Sequence, residues 1–234
     1  MSDSFAPEAF FDLTQTAHRS LFTAGEPGWS ALSRIKGYLE DSVKARDLSH
    51  AAEVSEQAFI GPNVILGEGV VVEPFATIKG PAIIGAGSTI RSGAYLRENV
   101  IAGEGVMMGN SCEFKNCLLF NGAEVPHFNY VGDSLLGHKA HLGAGVILSN
   151  VRLDRHNVTI LAEGKRLPTE LRKFGAVIGD HSEVGCNAVL SPGSLIGAHA
   201  ILYPGIQWRG HLPTRHIAKL TQSHSLMERR DRSS

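Results

Sequence analysis

Apolar side chains recur along this chain at a spacing of six. The run is Ile60, Leu66, Val72, Ile78, Ile84, Ile90, Leu96, Ala102, Met108, Phe114, Phe120 and Pro126. Two five-residue steps lead through Val131 to Leu136, and the spacing returns at Leu142 and Leu148, then at Ile178, Val184, Leu190, Ile196 and Leu202. Six matches neither the 3.6-residue period of a helix nor the two-residue period of a flat strand. It suits a solenoid in which three hexads make one triangular coil, with an apolar side chain pointing inward once per flat side. The pattern predicts an all-β fold, a stack of such coils over about 51–210. Several inward positions precede glycine, as in Ile60-Gly61, Leu66-Gly67, Ile84-Gly85 and Leu142-Gly143. The expectation is that these glycines turn corners at positive φ.

The flanks break the pattern. Residues 1–50 place Phe10, Phe11 and Leu13, then Trp29, Leu32, Ile35, Tyr38 and Leu39, at helical spacing around the turn Glu26-Pro27-Gly28. They predict short helices that cap the exposed strand edges at one end of the coil stack. Residues 211–234 are polar and read as a tail. Between 151 and 176 the hexads lapse, and Lys165, Arg166, Pro168, Arg172 and Lys173 lie on a predicted loop leaving the coils. Such a loop is either a solvated surface or a carrier of phosphate-binding cations. The irregular stretch around Pro126 sets His127 at a corner. An imidazole there suits a general base, and a hydrogen-bonded structural role is the plainer alternative.

Composition narrows the classes. The chain has 22 Lys+Arg against 23 Asp+Glu, a formal net charge of -1, and so lacks the basic field that would hold nucleic acid. No run of eighteen apolar residues and no charged-then-apolar leader appears, so the expectation is a cytoplasmic protein with no membrane span. Cys112, Cys117 and Cys186 form no C-x-x-C pair and read as core or corner residues.

Three stretches carry a resemblance: Met108-Gly109-Asn110-Ser111-Cys112-Glu113-Phe114-Lys115, Pro126-His127-Phe128-Asn129-Tyr130-Val131-Gly132-Asp133, and Leu142-Gly143-Ala144-Gly145 with Ser149-Asn150. Together they resemble the acetyltransferase domain of the bifunctional glucosamine-1-phosphate acetyltransferase/N-acetylglucosamine-1-phosphate uridyltransferase. The continuation Asn150-Val151-Arg152-Leu153-Asp154 and Arg172-Lys173-Phe174-Gly175-Ala176-Val177-Ile178-Gly179-Asp180 is similar to archaeal-type sugar-phosphate nucleotidyltransferases that carry the same domain. The resemblance implies a left-handed parallel β-helix and a homotrimer with sites between subunits. It also implies acetyl transfer from acetyl-CoA to an amino-sugar phosphate or a UDP-sugar. It makes His127 the base and has Asn150 orient the amine or thioester. Arg97, Lys115, Tyr130 and His141 become acceptor contacts. Gly143 and Ala144 approach the pantetheine arm, while Arg172 and Lys173 meet phosphates of the coenzyme A thioester or the sugar nucleotide. No metal is implied.

The sequence also departs from that pattern. No Gly-rich nucleotide loop is present, so pyrophosphorylase chemistry is not expected. His141 stands where the family often has Asn, and Tyr203 stands where acetyl-CoA users commonly have small residues, narrowing the donor channel. Three further readings stay open: a non-catalytic sugar-nucleotide-binding or scaffold trimer, a longer acyl donor, and zinc at His127, His138 and His141. The three-residue spacing of His138 and His141 does not match the metal-binding hexapeptide pattern.

Overall fold

A computed structural model describes residues 5–44, 52–162 and 164–228. Its body is a parallel β-helix with three flat faces, built as sheets of nine, eight and eight strands, beside one two-stranded hairpin. The chain visits the faces in turn. On the first face Val54 pairs with Val72, on the second Ile60 with Ile78, and on the third Leu66 with Ile84. Each coil therefore hydrogen-bonds the coil above and below it. The hexad residues stack into one core, and two residues earlier a second, smaller inward side chain fills each corner: Val70, Ala76, Ala94, Val106, Ala123 and Ala140 are all buried. The number of faces and the usual coil length are those expected of the hexapeptide β-helix.

The register differs from the sequence reading at two places. Leu119, not Phe120, pairs with Ala102 and Leu136, and Val125, not Pro126, pairs with Met108. The shortened steps are thus Phe114 to Leu119 and Val131 to Leu136, and the step past His127 keeps its full length. Both deletions fall at the corner between the second and third faces. Single left-handed residues, Asn116 at φ 47° and Asp133 at φ 48°, turn the chain there.

The glycines after inward residues also act differently from the expectation. Gly61, Gly67 and Gly143 are not at positive φ; a Cβ on them would lie 2.3 Å from Lys79 O, 2.6 Å from Ala86 N and 2.7 Å from Cys186 N. They are small because the next coil's backbone lies directly against them.

Residues 5–44 are not an end cap. They form four short 3-10 turns and one helix, α1 (Ile35–Lys44), and lie along the outside of the third face. Phe10, Phe11, Trp29, Leu32, Ile35 and Leu39 cover Ile65, Ile83, Ile101, Leu118, Leu135, Val177 and Leu195, the outward residues of successive third-face strands. An apolar sheet face about seven strands long requires such a cover. The Phe11 and Phe120 rings stack at 4.7 Å, and the buried Asp180 carboxylate accepts the backbone N–H of Asp12 at 2.6 Å and of His138 at 2.7 Å.

The insert leaves the coil path after Asn150, as expected, but packs back on the third face: its hairpin, Thr159–Ala162 with Lys165–Pro168, buries Val158, Ile160 and Ala162 in the same cluster. The coils continue past residue 210, through strands His211–Leu212 and Ile217–Ala218, because these still bury Leu212 and pair with the coil before. Residues 219–228 form no regular element, and 229–234, the charged end of the expected tail, lie outside the described residues.

Truncation of Phe11 to Ala removes a buried ring from this seam. We expect it to cost about 3–5 kcal/mol in urea denaturation. A loss below about 1 kcal/mol would mean that the segment is only loosely attached.

Candidate functional site

The two deletions place polar side chains of successive coils together at the second–third corner. Lys115 lies opposite Gly132, one coil apart. The Asp133 carboxylate is buried and accepts from Lys115 Nζ at 3.0 and 3.2 Å, from Asn116 Nδ2 at 3.0 Å and from Asn150 Nδ2 at 2.6 Å. Asn150 Nδ2 also donates to the Tyr130 hydroxyl at 3.1 Å. Gly132 makes the crossing possible, since a Cβ there would sit 2.5 Å from the Tyr130 oxygen and 2.8 Å from Asn150 Nδ2. Burial, then the nearby Asp133 and Glu113 charges, push the Tyr130 hydroxyl pKa up, so it stays protonated. Arg97 pairs with Glu113 at 3.1 Å. The cations are therefore already matched to carboxylates, and a substrate phosphate has to compete for them.

His127 lies at the other edge of the second face, the corner shared with the first. It ends strand Glu124–His127 in register with Asn110. Its backbone N–H donates to Asn129 Oδ1 at 3.1 Å, while Asn129 Nδ2 donates to Gly143 O at 2.7 Å. Asn129 thus occupies, fully satisfied, the buried position that other coils give to Ala or Val. The His127 side chain is exposed, and no hydrogen bond to its imidazole is found among the described residues. In the next coil come Gly143 and Ala144. A groove of about 260 Å³ runs beside them, lined by His141, Gly143, Gly185, Cys186, Tyr203 and Pro204. Tyr203 forms a wall of this groove. His141 stands on the first face with Nδ1 donating to Glu183 Oε2 at 2.9 Å.

The expected site residues thus divide. Arg97, Lys115 and Asn150 lie at one edge of the second face, and His127, His141, Gly143 and Ala144 at the other or on the face beyond it; Tyr130 opens its strand near His127 and reaches across to Asn150 with its hydroxyl. Arg172 and Lys173, expected with Gly143 and Ala144, instead precede Phe174, whose N–H donates to Asn150 O at 2.9 Å. Beside Asn150 a cavity of about 460 Å³ is lined by Ser149, Arg152, Thr159, Ser191 and Arg209.

Sequence reasoning missed Asp133, Asn129, Glu113 and Glu183. Asn129 carried a legible signal, an amide where the coils bury a small apolar residue. The carboxylates carried none, because their partners lie one coil away. The cysteines separate as core and corner: Cys112 and Cys117 are buried, which pushes their thiol pKa values up, and Cys186 is exposed. His138 Nδ1 donates to Asn121 O at 2.7 Å and its ring packs on His181, away from His127. Among the described residues no group of three His, Cys, Asp or Glu is arranged to hold a metal ion. No helix among them is long and apolar enough to cross a membrane.

Comparison with known proteins falls on this same stretch. Residues 78–172 match the family described as the GMPPB C-terminal domain. A bifunctional sugar-1-phosphate nucleotidylyltransferase/acetyltransferase of Sulfurisphaera tokodaii is 39% identical over 83 residues, 36% of this chain and 21% of that protein. The bifunctional protein GlmU of Methanococcus vannielii is 39% identical over 84 residues, 36% of this chain and 20% of its own. The chain therefore matches about a fifth of the length of these relatives. An Arabidopsis UDP-N-acetylglucosamine acyltransferase structure covers 72% of this chain and 69% of its own at 16% identity, with a TM-score of 0.39. The matched segment contains Lys115, His127, Tyr130, Asp133, His141 and Asn150, so both edges of the second face lie inside it.

Asp133→Asn keeps a residue that tolerates positive φ, removes the charge and turns one acceptor oxygen into an NH2 that faces the Asn116 or Asn150 donor. It leaves Lys115, whose side chain is 18% exposed, without a counter-ion, and about 3–5 kcal/mol of stability should be lost in denaturant melts. Adding Lys115→Met should recover part of that loss. No recovery would show that the pair does not act as one.

Proposed function

We propose that this protein transfers an acyl group, acetyl from acetyl-CoA, to the amine of an amino-sugar phosphate or sugar nucleotide such as glucosamine 1-phosphate. The observation that carries the reading is the exposed His127 imidazole, whose backbone N–H is held by the buried Asn129; Asn129 in turn binds the carbonyl of Gly143, a wall of the groove in the next coil. The groove is largely apolar, which suits a pantetheine arm. The acetyltransferases among the matched relatives support the chemistry.

The reaction needs a nucleophilic amine, a base and a held thioester. The amine nitrogen attacks the thioester carbon, the C–N bond forms, and the C–S bond breaks. His127 takes the proton the nitrogen sheds and returns it to the departing thiolate. Arg97 and Lys115 exchange carboxylate partners for the acceptor's phosphate, with Tyr130 contacting the sugar and Asn150 orienting the amine or the thioester. Arg172 and Lys173 meet donor or nucleotide phosphates. The full site takes the Asn150 edge from one subunit and the His127 edge from its neighbour in a homotrimer. The third face is already covered by residues 5–44, which leaves the first and second faces for that contact. The cytoplasm, where acetyl-CoA and sugar nucleotides are at hand, is the fitting location.

Free thiol release from acetyl-CoA with glucosamine 1-phosphate tests the reading. His127→Ala should lower kcat roughly 10²–10⁴-fold with the fold intact. Thiol release equal to wild type would remove His127 from the chemistry. Sugar binding without any thiol release from the wild type would favour a scaffold. Light scattering should give three protomers, and a monomer at micromolar concentration would end the shared-site proposal. Arg172→Ala with Lys173→Ala should raise KM and leave stability within about 0.5 kcal/mol.

A further inference from the structure

Glu124, His141 and Glu183 form one row across the outside of the first face, in the same place on three successive coils and joined in register by main-chain pairing. His141 donates through Nδ1 to Glu183 Oε2 at 2.9 Å. With that proton committed, the neutral ring carries its lone pair on Nε2. His141 and Glu183 are both walls of the groove that passes Gly143, Gly185, Cys186 and Tyr203. His127 differs, since no carboxylate among the described residues hydrogen-bonds its ring. The charged groups around the His141 ring are Glu124 on the preceding coil, Glu183 on the following coil and Lys139 at the adjoining corner. Two carboxylates against one ammonium favour a cation at this place.

An amine acceptor enters at neutral pH largely as an ammonium and sheds two protons in all, one to become nucleophilic and one after attack. On the acyl-transfer reading above, we propose that His141, positioned by Glu183, takes the first of these protons, leaving the second to His127. The ammonium N–H bond breaks and its proton moves to His141 Nε2. The resulting imidazolium faces the Glu183 carboxylate and returns its proton to solvent. The nitrogen lone pair so released forms the C–N bond, the C–S pair leaves on sulfur, and the second N–H proton passes through His127 to the thiolate. Glu183 acts only through His141 and is a positioning residue.

Thiol release by the full chain, followed from below to above the acceptor amine's own pKa, tests this. His141→Asn keeps a hydrogen-bonding side chain but not a base. It should lower kcat roughly 10²-fold below the amine pKa, with little defect above it, because the acceptor is then already deprotonated. KM should change little. Added imidazole should restore part of the rate to His141→Ala. Glu183→Ala should show the same pH-dependent loss to a smaller degree, and combined with His141→Asn it should add nothing. Unaltered melting temperatures separate these losses from misfolding. A defect equal at every pH, a rise in KM alone, or wild-type kcat in His141→Asn would overturn the proposal while leaving acyl transfer standing. A wild type that releases no thiol with any amino-sugar acceptor would instead overturn the acyl-transfer reading, and this inference with it.

Discussion

Every coil of this molecule must present its backbone amides and carbonyls to the coils above and below it, and the other features follow from that ladder. An unpaired N–H or C=O inside the stack would cost more than most single side-chain contacts contribute. The strands are two to four residues long, so no strand is stable alone. Repetition supplies the stability, as each inward side chain rests on its equivalents one coil away. The same ladder explains the glycines at close approaches. There the neighbouring backbone occupies the space a Cβ would take.

The ladder also governs where irregularity can be placed. A residue can be removed only at a corner, where the chain is between strands, and both removals fall at the same corner in successive coils. The result is a column in which Lys115, Asn116, Asp133 and Asn150 crowd together around one buried carboxylate. The insert starts directly after Asn150, at the same edge. One edge of the second face thus concentrates the chain's departures from its repeat, and the other, with His127, keeps regular spacing and carries an exposed imidazole. A neighbouring copy set against this face would bring a second set of edges to the first, which is the physical content of the trimer proposal.

Covering the third face is a separate solution to a general problem. Two faces present mixed polar and apolar residues outward, but the third presents Ile65, Ile83, Ile101, Leu118, Leu135, Val177 and Leu195. Residues 5–44 and the insert hairpin bury that stripe within the chain itself, which removes the third face from competition for partners.

Much of this was legible in the sequence, because a coil of three hexads writes its period directly into the positions of Ile60, Leu66, Val72 and their successors. The third-face stripe, an apolar residue just before every third inward one, escaped the sequence reading, which put Phe10, Phe11 and Trp29 at one end of the stack and not along its side. Phe120 and Pro126 were misassigned because both neighbours at each position are apolar, and only hydrogen-bond pairing chooses between Leu119 and Phe120. The site was legible as a set of residues and not as an arrangement. Periodicity fixes which face a residue occupies. It says nothing of which carboxylate a lysine meets, because Lys115 and Asp133, or His141 and Glu183, become neighbours only when their coils stack. The separation of His127 from Asn150 was decided in the same way. Both lie within one motif-bearing span of the chain, but the stacked ladder sets them at opposite corners of the second face.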